Sequence, residues 1–468
     1  MARQNKNENL TIEEKLEKAL VPEGEQPYEV PGNWCWVKIG EITNVVSGGT
    51  PSTSHKEYYE NGDIAWISPA DLSNYHDKFI SKGAKNITKL GLEKSSARIM
   101  PENTVCLSTR APIGYVVIAM NELCTNQGFK SFLPSRAYIP DYLYWYLKGI
   151  KERLEEKASG TTFLELSGTK ASQIEFPIAP LPEQHRIVKR IESLFSQLDE
   201  ARDKAQEALD NIQDTWSSIS YDAFSGKLTA EWRKTNNKAE TWTEYSLQDV
   251  CSMKITDGTH QTPTYCKKED GGIPFISAKD VTSKKISWDE IKYIVPELHN
   301  ELYARIAPQI DDILLAKNGT TGVAAIVETD KVFDIYVTLA VLRPNKEIIL
   351  PRYLLNIVNS PVCKDQFNEH LTGIGVPNLH LRDIKAVMIR VPEIDEQKEV
   401  VRIIDNFWNV QESVIEATKS VIENIELTKK SILSKALRGE LGTNDPEEES
   451  AVELIKSILE AEEYPFLF

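Results

Sequence analysis

Two short stretches bring serine, glycine and lysine together as a phosphate-gripping loop would: Ser167-Gly168-Thr169-Lys170 and Ser225-Gly226-Lys227-Leu228. A true phosphate loop also needs an earlier glycine and a run of backbone N–H groups curled around the anion, and neither stretch has that frame. No glycine-rich dinucleotide turn opens a helix and no nucleophile elbow is present. The Pro-Pro-aromatic tetrapeptide with which amino-methyltransferases hold a flipped base is also missing. The neighbouring carboxylates Glu155-Glu156 and Asp311-Asp312 read as solvated surface. The seven histidines (His55, His76, His185, His260, His299, His370 and His380) show no metal-ligand spacing, so no metal site is expected. The six cysteines include no C-x-x-C pair and are expected as buried thiols rather than disulfides. A chain without recognisable reaction machinery points to a binder, with no catalytic residue and no cofactor of its own.

The elements that would position binding residues must come from more than one core, because 468 residues that are 41% hydrophobic exceed what a single core holds. The polar start of the chain has no signal-peptide core. No apolar run approaches the roughly 18 residues of a membrane span, and a soluble cytoplasmic protein is expected. The net charge is −16, which opposes binding of a polyanion. Its distribution softens that objection. Residues 28–182 hold 16 basic and 16 acidic side chains and residues 242–395 hold 17 and 21, whereas 445–468 alone hold 1 and 8.

The chain is a tandem repeat. Asp63 to Leu72 is echoed by Gly272 to Val281. Trp34 to Ile42 returns as Trp242 to Val250, and Leu107 to Ala119 as Leu315 to Val327, both displaced by 208 residues. Glu183-Gln184 returns as Glu396-Gln397, and Ala223 to Leu228 as Ala436 to Leu441, displaced by 213. Each copy begins with short apolar runs bounded by turn residues (Asp63 to Ile67, Thr104 to Leu107, Tyr115 to Ala119, Ile174 to Ile178). Helical stretches follow at Pro140 to Lys157 and Pro351 to His370. This is an α+β pattern.

Each copy then turns helical. Ile187, Ile191, Leu194, Leu198, Ala201, Ala205, Ala208, Ile212 and Ile219 recur in steps of four and three, with Thr215 filling one polar slot. The partner seam runs through Val400, Ile404, Phe407, Gln411, Val414, Thr418, Val421, Ile425, Thr428 and Ile432. Seams kept for several heptads pack on another helix, and about 40 residues span on the order of 60 Å. Pro182 before the first helix, and Gly226 and Gly439 after each, are the expected start and stop signals.

Gly48-Gly49-Thr50-Pro51-Ser52, Leu107 to Gly114, Asn126 to Lys130, Leu181 to Gln184 and Ala223 to Leu228 follow one another in that order. With two variable domains, each followed by a long helix ending in a glycine-containing hexapeptide, these motifs make the chain resemble the specificity subunit of type I restriction-modification systems. The resemblance implies two tandem α+β target-recognition domains separated by two long antiparallel coiled-coil helices. Each domain would read one half of a split, asymmetric target in double-stranded DNA. It further implies two modification subunits that carry S-adenosylmethionine and methylate adenine N6. Restriction subunits using ATP and Mg would join them.

The resulting division is an N-terminal extension 1–27, a first recognition domain 28–182, a central helix 183–227 and a linker 228–241. A second domain 242–395, a second helix 396–438 and an acidic tail 439–468 follow. The terminal stretches Thr11 to Leu20 and Ser450 to Leu459 are helical by spacing and suited to pairing with each other or to docking a partner.

Base readout needs polar or basic side chains on loops that reach a groove edge. The candidates in the first copy are Thr50, Ser52, Thr53, Lys56, Arg110, Gln127 and Lys130, and in the second Thr259, His260, Gln261, Thr262, Lys317 and Asn318. Lys78, Lys82 and Lys85, followed by Lys89 and Lys94, are placed to follow a phosphate backbone. So are Lys279, Lys284 and Lys285 in the second copy. The second copy departs from the family pattern, with Asp257-Gly258 for the double glycine and Lys317-Asn318-Gly319 for Thr109-Arg110-Ala111. A cytoplasmic coiled-coil scaffold with duplicated protein-binding domains remains a competing reading, as does an enzyme with an unfamiliar site.

Overall fold

The computed structural model describes residues 10–110, 112–159, 164–282, 284–369 and 378–461. They form two compact units, Met1–Asp203 with Val421–Phe468, and Lys204–Ser420. This division cuts both long helices near their middles. Each unit therefore combines one domain with the start of the helix that follows it and the end of the other.

In the first unit the apolar runs form a five-stranded sheet in the order Val45–Ser47, Phe129–Phe132, Val105–Thr109, Ile113–Ala119, Phe79–Ile80. Beside it lies a three-stranded sheet, Lys85–Ile87, Ile64–Ile67, Cys124–Thr125, and a pair Cys35–Lys38 with Glu175–Ile178. The second unit repeats the plan. Thr256–Asp257, Leu339–Leu342, Ile313–Ala316 and Ala324–Ile326 form one sheet, and Tyr265–Cys266, Lys292–Ile294, Ile273–Ile276 and Asp334–Ile335 another. Thr243–Ser246 pairs with Met388–Val391.

The echoed stretch is the same strand and cap in both copies. Asp71 Oδ2 accepts from the backbone N–H and the hydroxyl of Ser68, each at 2.7 Å. Asp280 does the same for Ser277, at 2.8 and 2.9 Å. Serine and aspartate three residues apart close a short helical turn reciprocally, which is why those two types recur while their neighbours change.

Helix Pro140 to Lys157 is in fact two helices, Pro140–Gly149 and Lys151–Lys157. The stretch from Pro351 breaks into Pro351–Val358 and Pro361–Glu369, because Pro361 has no N–H to continue the ladder; His370 lies outside the described residues. The linker is not plain coil, since Ala230–Thr235 is helical.

The long helices are Leu181–Ser225 and Ile394–Ala436. Each ends where a glycine takes a left-handed conformation, Gly226 at φ +85° and Gly439 at φ +74°. In the first unit Ile187, Val188 and Ile191 share a core with Leu433, Ala436 and Leu437, and Lys429 reaches Asp199 at 2.6 Å. Early residues of one helix thus meet late residues of the other, so the pair is antiparallel. The second unit packs Trp216 on Phe407 and Trp408, with ring centroids 6.1 and 5.1 Å apart, and Ala223 and Phe224 near Val400 and Ile404.

The expected seam needs correction on one flank. Ile187, Ile191, Val400, Ile404 and Ile425 are buried, and Leu194, Leu198, Ile212 and Phe407 half-buried, but Val414 and Val421 are 42% and 46% exposed. Their neighbours Ile415 and Ile422 turn inward instead, in line with Trp408. Both flanks of the 404, 411, 418, 425 line are apolar, and the bulkier side chains bury more surface. In the first helix Trp216, not Thr215, completes the row.

The repeated Glu-Gln pair locks each long helix to its domain. Gln184 accepts from Ile139 N–H at 3.0 Å and donates to the carbonyls of Ala137 and Ala179, both at 2.9 Å. Gln397 accepts from Leu350 N–H and donates to Ile348 and Pro392 carbonyls, all at 2.8 Å. Buried Glu183 accepts from the Trp34 indole at 2.7 Å and from Asn444 at 2.8 Å. Buried Glu396 accepts from the Trp242 indole at 3.1 Å, from Thr229 at 2.5 Å and from Arg233.

The chain after each helix folds back onto a glutamate, and it does so crosswise: 226–236 covers Glu396 in the second unit, and 439–461 covers Glu183 in the first. In the tail, Glu448 takes a bidentate pair from Arg186 at 2.7 and 2.8 Å. Helix Ala451–Glu460 then packs on Ile12–Ala19. The tail acidity at Glu448 is thus spent within the chain, while Glu447 and Glu449 remain exposed.

All six cysteines are free thiols. Burial pushes Cys35, Cys106, Cys124 and Cys251 up to about 12, and Cys363 is fully buried. Iodoacetamide at neutral pH is expected to label Cys266 first, as read by peptide mass spectrometry. Replacing Gln184 or Gln397 by Leu strands one N–H and two carbonyls. Each is expected to cost about 2–3 kcal/mol in urea unfolding, with hydrogen exchange rising in the first unit for Gln184→Leu and in the second for Gln397→Leu.

Candidate nucleic-acid interface

In the first unit four loops gather at one end of the sheet. Gly48 sits so close to its neighbours that an added Cβ would lie 2.0 Å from the Asn126 carbonyl, so only glycine fits. Gly49 N–H donates to Thr125 O at 2.8 Å and its carbonyl accepts from the Trp66 indole at 3.0 Å. Thr109 N–H donates to Gly128 O at 2.7 Å, and Leu166 N–H to Thr109 O at 3.0 Å. A bridge joins Arg110 to Glu165. These bonds bring Thr50, Arg110, Gln127 and Lys130 together, with the Thr50 hydroxyl donating to the Gln127 side chain.

Exposure sorts these residues. Thr50, Arg110 and Gln127 are exposed, and Ser52, Thr53 and Lys56 continue outward on the same loop. Lys130 is 5% exposed and donates to the carbonyls of Gln127 and Phe129 at 3.5 and 3.4 Å. Burial pulls its ammonium below the usual lysine range, and Glu165 opposes that pull.

The second unit builds the same gathering from different side chains. Gly258 stands where Gly48 does, its added Cβ falling 2.0 Å from the Ile335 carbonyl. Lys317 N–H donates to Thr338 O at 2.9 Å, Leu379 N–H to Lys317 O at 2.8 Å, and a bridge joins Asn318 to Asn378. Thr259 is buried, and His260, Gln261 and Thr262 are exposed. At the floor, Asp257 meets Lys317 at 2.7 Å, His260 at 3.3 Å and Arg305 at 3.6 Å. Its carboxylate is 4% exposed and the Lys317 side chain 9%. Lys317, expected as a base reader, is thus a buried partner of Asp257. Each cleft keeps one lysine in its floor, from Phe129–Phe132 in one copy and from the end of Ile313–Ala316 in the other.

The lysine-rich loops divide. Lys82 and Lys85 are exposed. Lys279 lies 3.8 Å from Asp280 and is 57% exposed. Lys78, however, pairs with Asp141 and Glu192, away from the gathered loops.

Two arginines that are not among the candidates named from the sequence also border the gathered loops. Ala97-Arg98-Ile99 and Ala304-Arg305-Ile306 repeat at a displacement of 207 and each leads to a proline two residues on. The backbone of Ala97 abuts Gly49, 2.2 Å from its added Cβ, which sets exposed Arg98 beside the first cleft as Arg305 borders the second. The three-residue identity was the available signal. Among the described residues no cluster of His, Cys, Asp and Glu is arranged to hold a metal ion, and no helix is long and apolar enough to cross a membrane.

Replacing Asp257 by Asn leaves Lys317 buried without its counter-charge and is expected to cost about 3 kcal/mol or more in urea unfolding. Adding Lys317→Met is expected to restore most of the loss.

The model of the type I restriction modification DNA specificity domain matches residues 31–208 and 239–424. The MjaIX type I restriction enzyme specificity subunit of Methanocaldococcus jannaschii is 36% identical over 260 residues, 54% of this chain and 59% of that protein. The chain thus spans little more than half the length of that relative. The EcoKI specificity subunit of Escherichia coli strain K12 is 21% identical over 428 residues, covering 88% and 90% of the two chains. Among solved structures, a chain from work on complex assembly and conformational transition of a type I restriction-modification system superposes with a TM-score of 0.64. It is 19% identical and covers 89% of this chain and 100% of its own, a likeness of fold. With the domain model matching both copies, this chain belongs to the type I restriction-modification DNA specificity family.

Proposed function

We propose that the chain is a non-catalytic reader of a bipartite, asymmetric DNA sequence, and that it directs adenine-N6 methylation by two modification subunits. The observation that carries this reading is the paired cleft. One scaffold, pinned by the same glycine and the same strand cap, presents Thr50, Arg110 and Gln127 in one copy and His260, Gln261, Thr262 and Asn318 in the other. A shared frame with different polar edges is what two unlike half-sites require, since bases are told apart by donor and acceptor patterns in the groove. Half-sites about 10 base pairs apart, centre to centre, face one side of the duplex.

S-adenosylmethionine would belong to the modification subunits, and ATP with Mg to restriction subunits where these join. The near balance of charge in each domain fits a reader whose phosphate contacts come in good part from those partners. Arg98 and Arg305 are the chain's own candidates for the backbone, with Lys82 and Lys85.

Sequencing of N6-methyladenine in cells with and without the gene tests the reading. Loss of one split, asymmetric motif on deletion is the expected result; an unchanged methylome, with chain and methyltransferase both expressed, would defeat it. In the assembled complex, Arg98→Gln and Arg305→Gln are each expected to weaken binding to all sequences alike. Each should also lower the slope of log binding constant against log salt by about 0.9, as read by fluorescence anisotropy.

A further inference from the structure

The loop that follows the strand and cap departs from the reading edge in both copies and turns to the long helix of its own unit. In the first unit Lys78 places its ammonium between Asp141, in the first turn of Pro140–Gly149, and Glu192 on the long helix, the latter at 2.5 Å. The side chain is only 19% exposed. Burial works against the charged form, yet the hydrogen bonds it donates to Asp141 and Glu192 hold the ammonium above its ordinary range. Phe195, a turn beyond Glu192, packs edge-on against Trp145 with centroids 5.0 Å apart.

In the second unit Lys284 stands 5.0 Å above the Trp408 ring and 5.9 Å from that of Trp216, and Lys285 lies 3.8 Å from Glu412. Lys284 takes a left-handed φ of +61°, a conformation that costs a non-glycine residue free energy and persists where the surroundings impose it. The displacement of 213 that relates the two long helices carries Phe195 onto Trp408 and Asp199 onto Glu412. The two loops therefore grip corresponding stretches of their helices, once through carboxylates and once through an indole face, where a cation is also favoured.

We propose that Lys78 and Lys284 are positioning residues that latch each recognition domain to its own long helix and set the angle of its reading edge, and that neither is a phosphate contact. This rests on the reading of each domain as a half-site reader. A lysine held by Asp141 and Glu192 has already neutralised its charge and displaces few counterions from DNA, whereas an exposed Lys82 retains both capacities.

The test uses the full-length chain. Lys78→Gln and Glu192→Gln, singly and together, are compared by urea unfolding. A latch makes the two effects non-additive by roughly threefold or more in the unfolding constant, and strict additivity overturns it. In the complex with its methyltransferase, Lys78→Gln is expected to leave the salt slope unchanged while the preference for the cognate target falls roughly tenfold. A slope lowered by about 0.9 would mark a phosphate contact and overturn the proposal.

For the second unit, Lys284→Arg is expected to keep target preference and Lys284→Met to lose it, because a guanidinium also seats over an indole. Equal behaviour of the two overturns the latch there. A wild-type complex with no sequence preference would end the half-site reading instead, and the unfolding cycle would still decide the latch.

Discussion

Everything else in each unit hangs on the buried glutamate and glutamine that open its long helix. A helix can point a domain only if the loop beneath it is fixed, and that loop has backbone groups that burial would leave unpaired. One glutamine side chain answers three of them in each copy, with near-identical distances. The adjoining glutamate, taken out of water, is stable only because an indole N–H and the returning chain donate to it. The helix, the domain and the segment that follows the opposite helix are thereby made parts of one hydrogen-bonded knot.

On that fixed frame the clefts are free to differ. Their floors both bury a lysine, but with different neutralisation: carbonyl oxygens around Lys130, the carboxylate of Asp257 against Lys317. Backbone geometry is held by glycine at 48 and 258, so changes of side chain at the rim need not disturb it. The negative net charge then has a local meaning. Half of it lies in the tail, where residues 439–468 hold 9 acidic side chains and 1 basic one against a total of −16, and part of that share is spent on Arg186.

The duplication, the two helices and the four apolar runs read as strands were legible in the sequence, because each leaves a periodic or repeated trace, whereas the antiparallel pairing followed only from the family resemblance. Asp63 to Ile67 and Tyr115 to Ala119 are read from short apolar runs bounded by turn residues, and the glycine stops from their place after an apolar period. The cleft floor was not legible. Nothing local distinguishes Lys317, which is buried, from Lys85, which is exposed; the difference lies in Asp257, sixty positions away, and appears only when the strands pair. The choice of Ile415 over Val414 likewise depends on which of two apolar flanks turns inward. Arg98 and Arg305 were readable as a repeat but not as a type.

The crosswise return of the chain has a consequence for how the protein is made. The first unit is completed by 421–461, which leave the ribosome only after the whole second unit has been synthesised. Until then Glu183 lacks Asn444, Arg186 lacks Glu448, and the apolar face of Ile12–Ala19 lacks its covering helix. The second unit needs only residues 204–420 and can close earlier. The domain translated first is therefore the one that waits longest in an unfinished, partly exposed state, and a premature stop late in the gene would harm the half of the protein that its message encodes earliest.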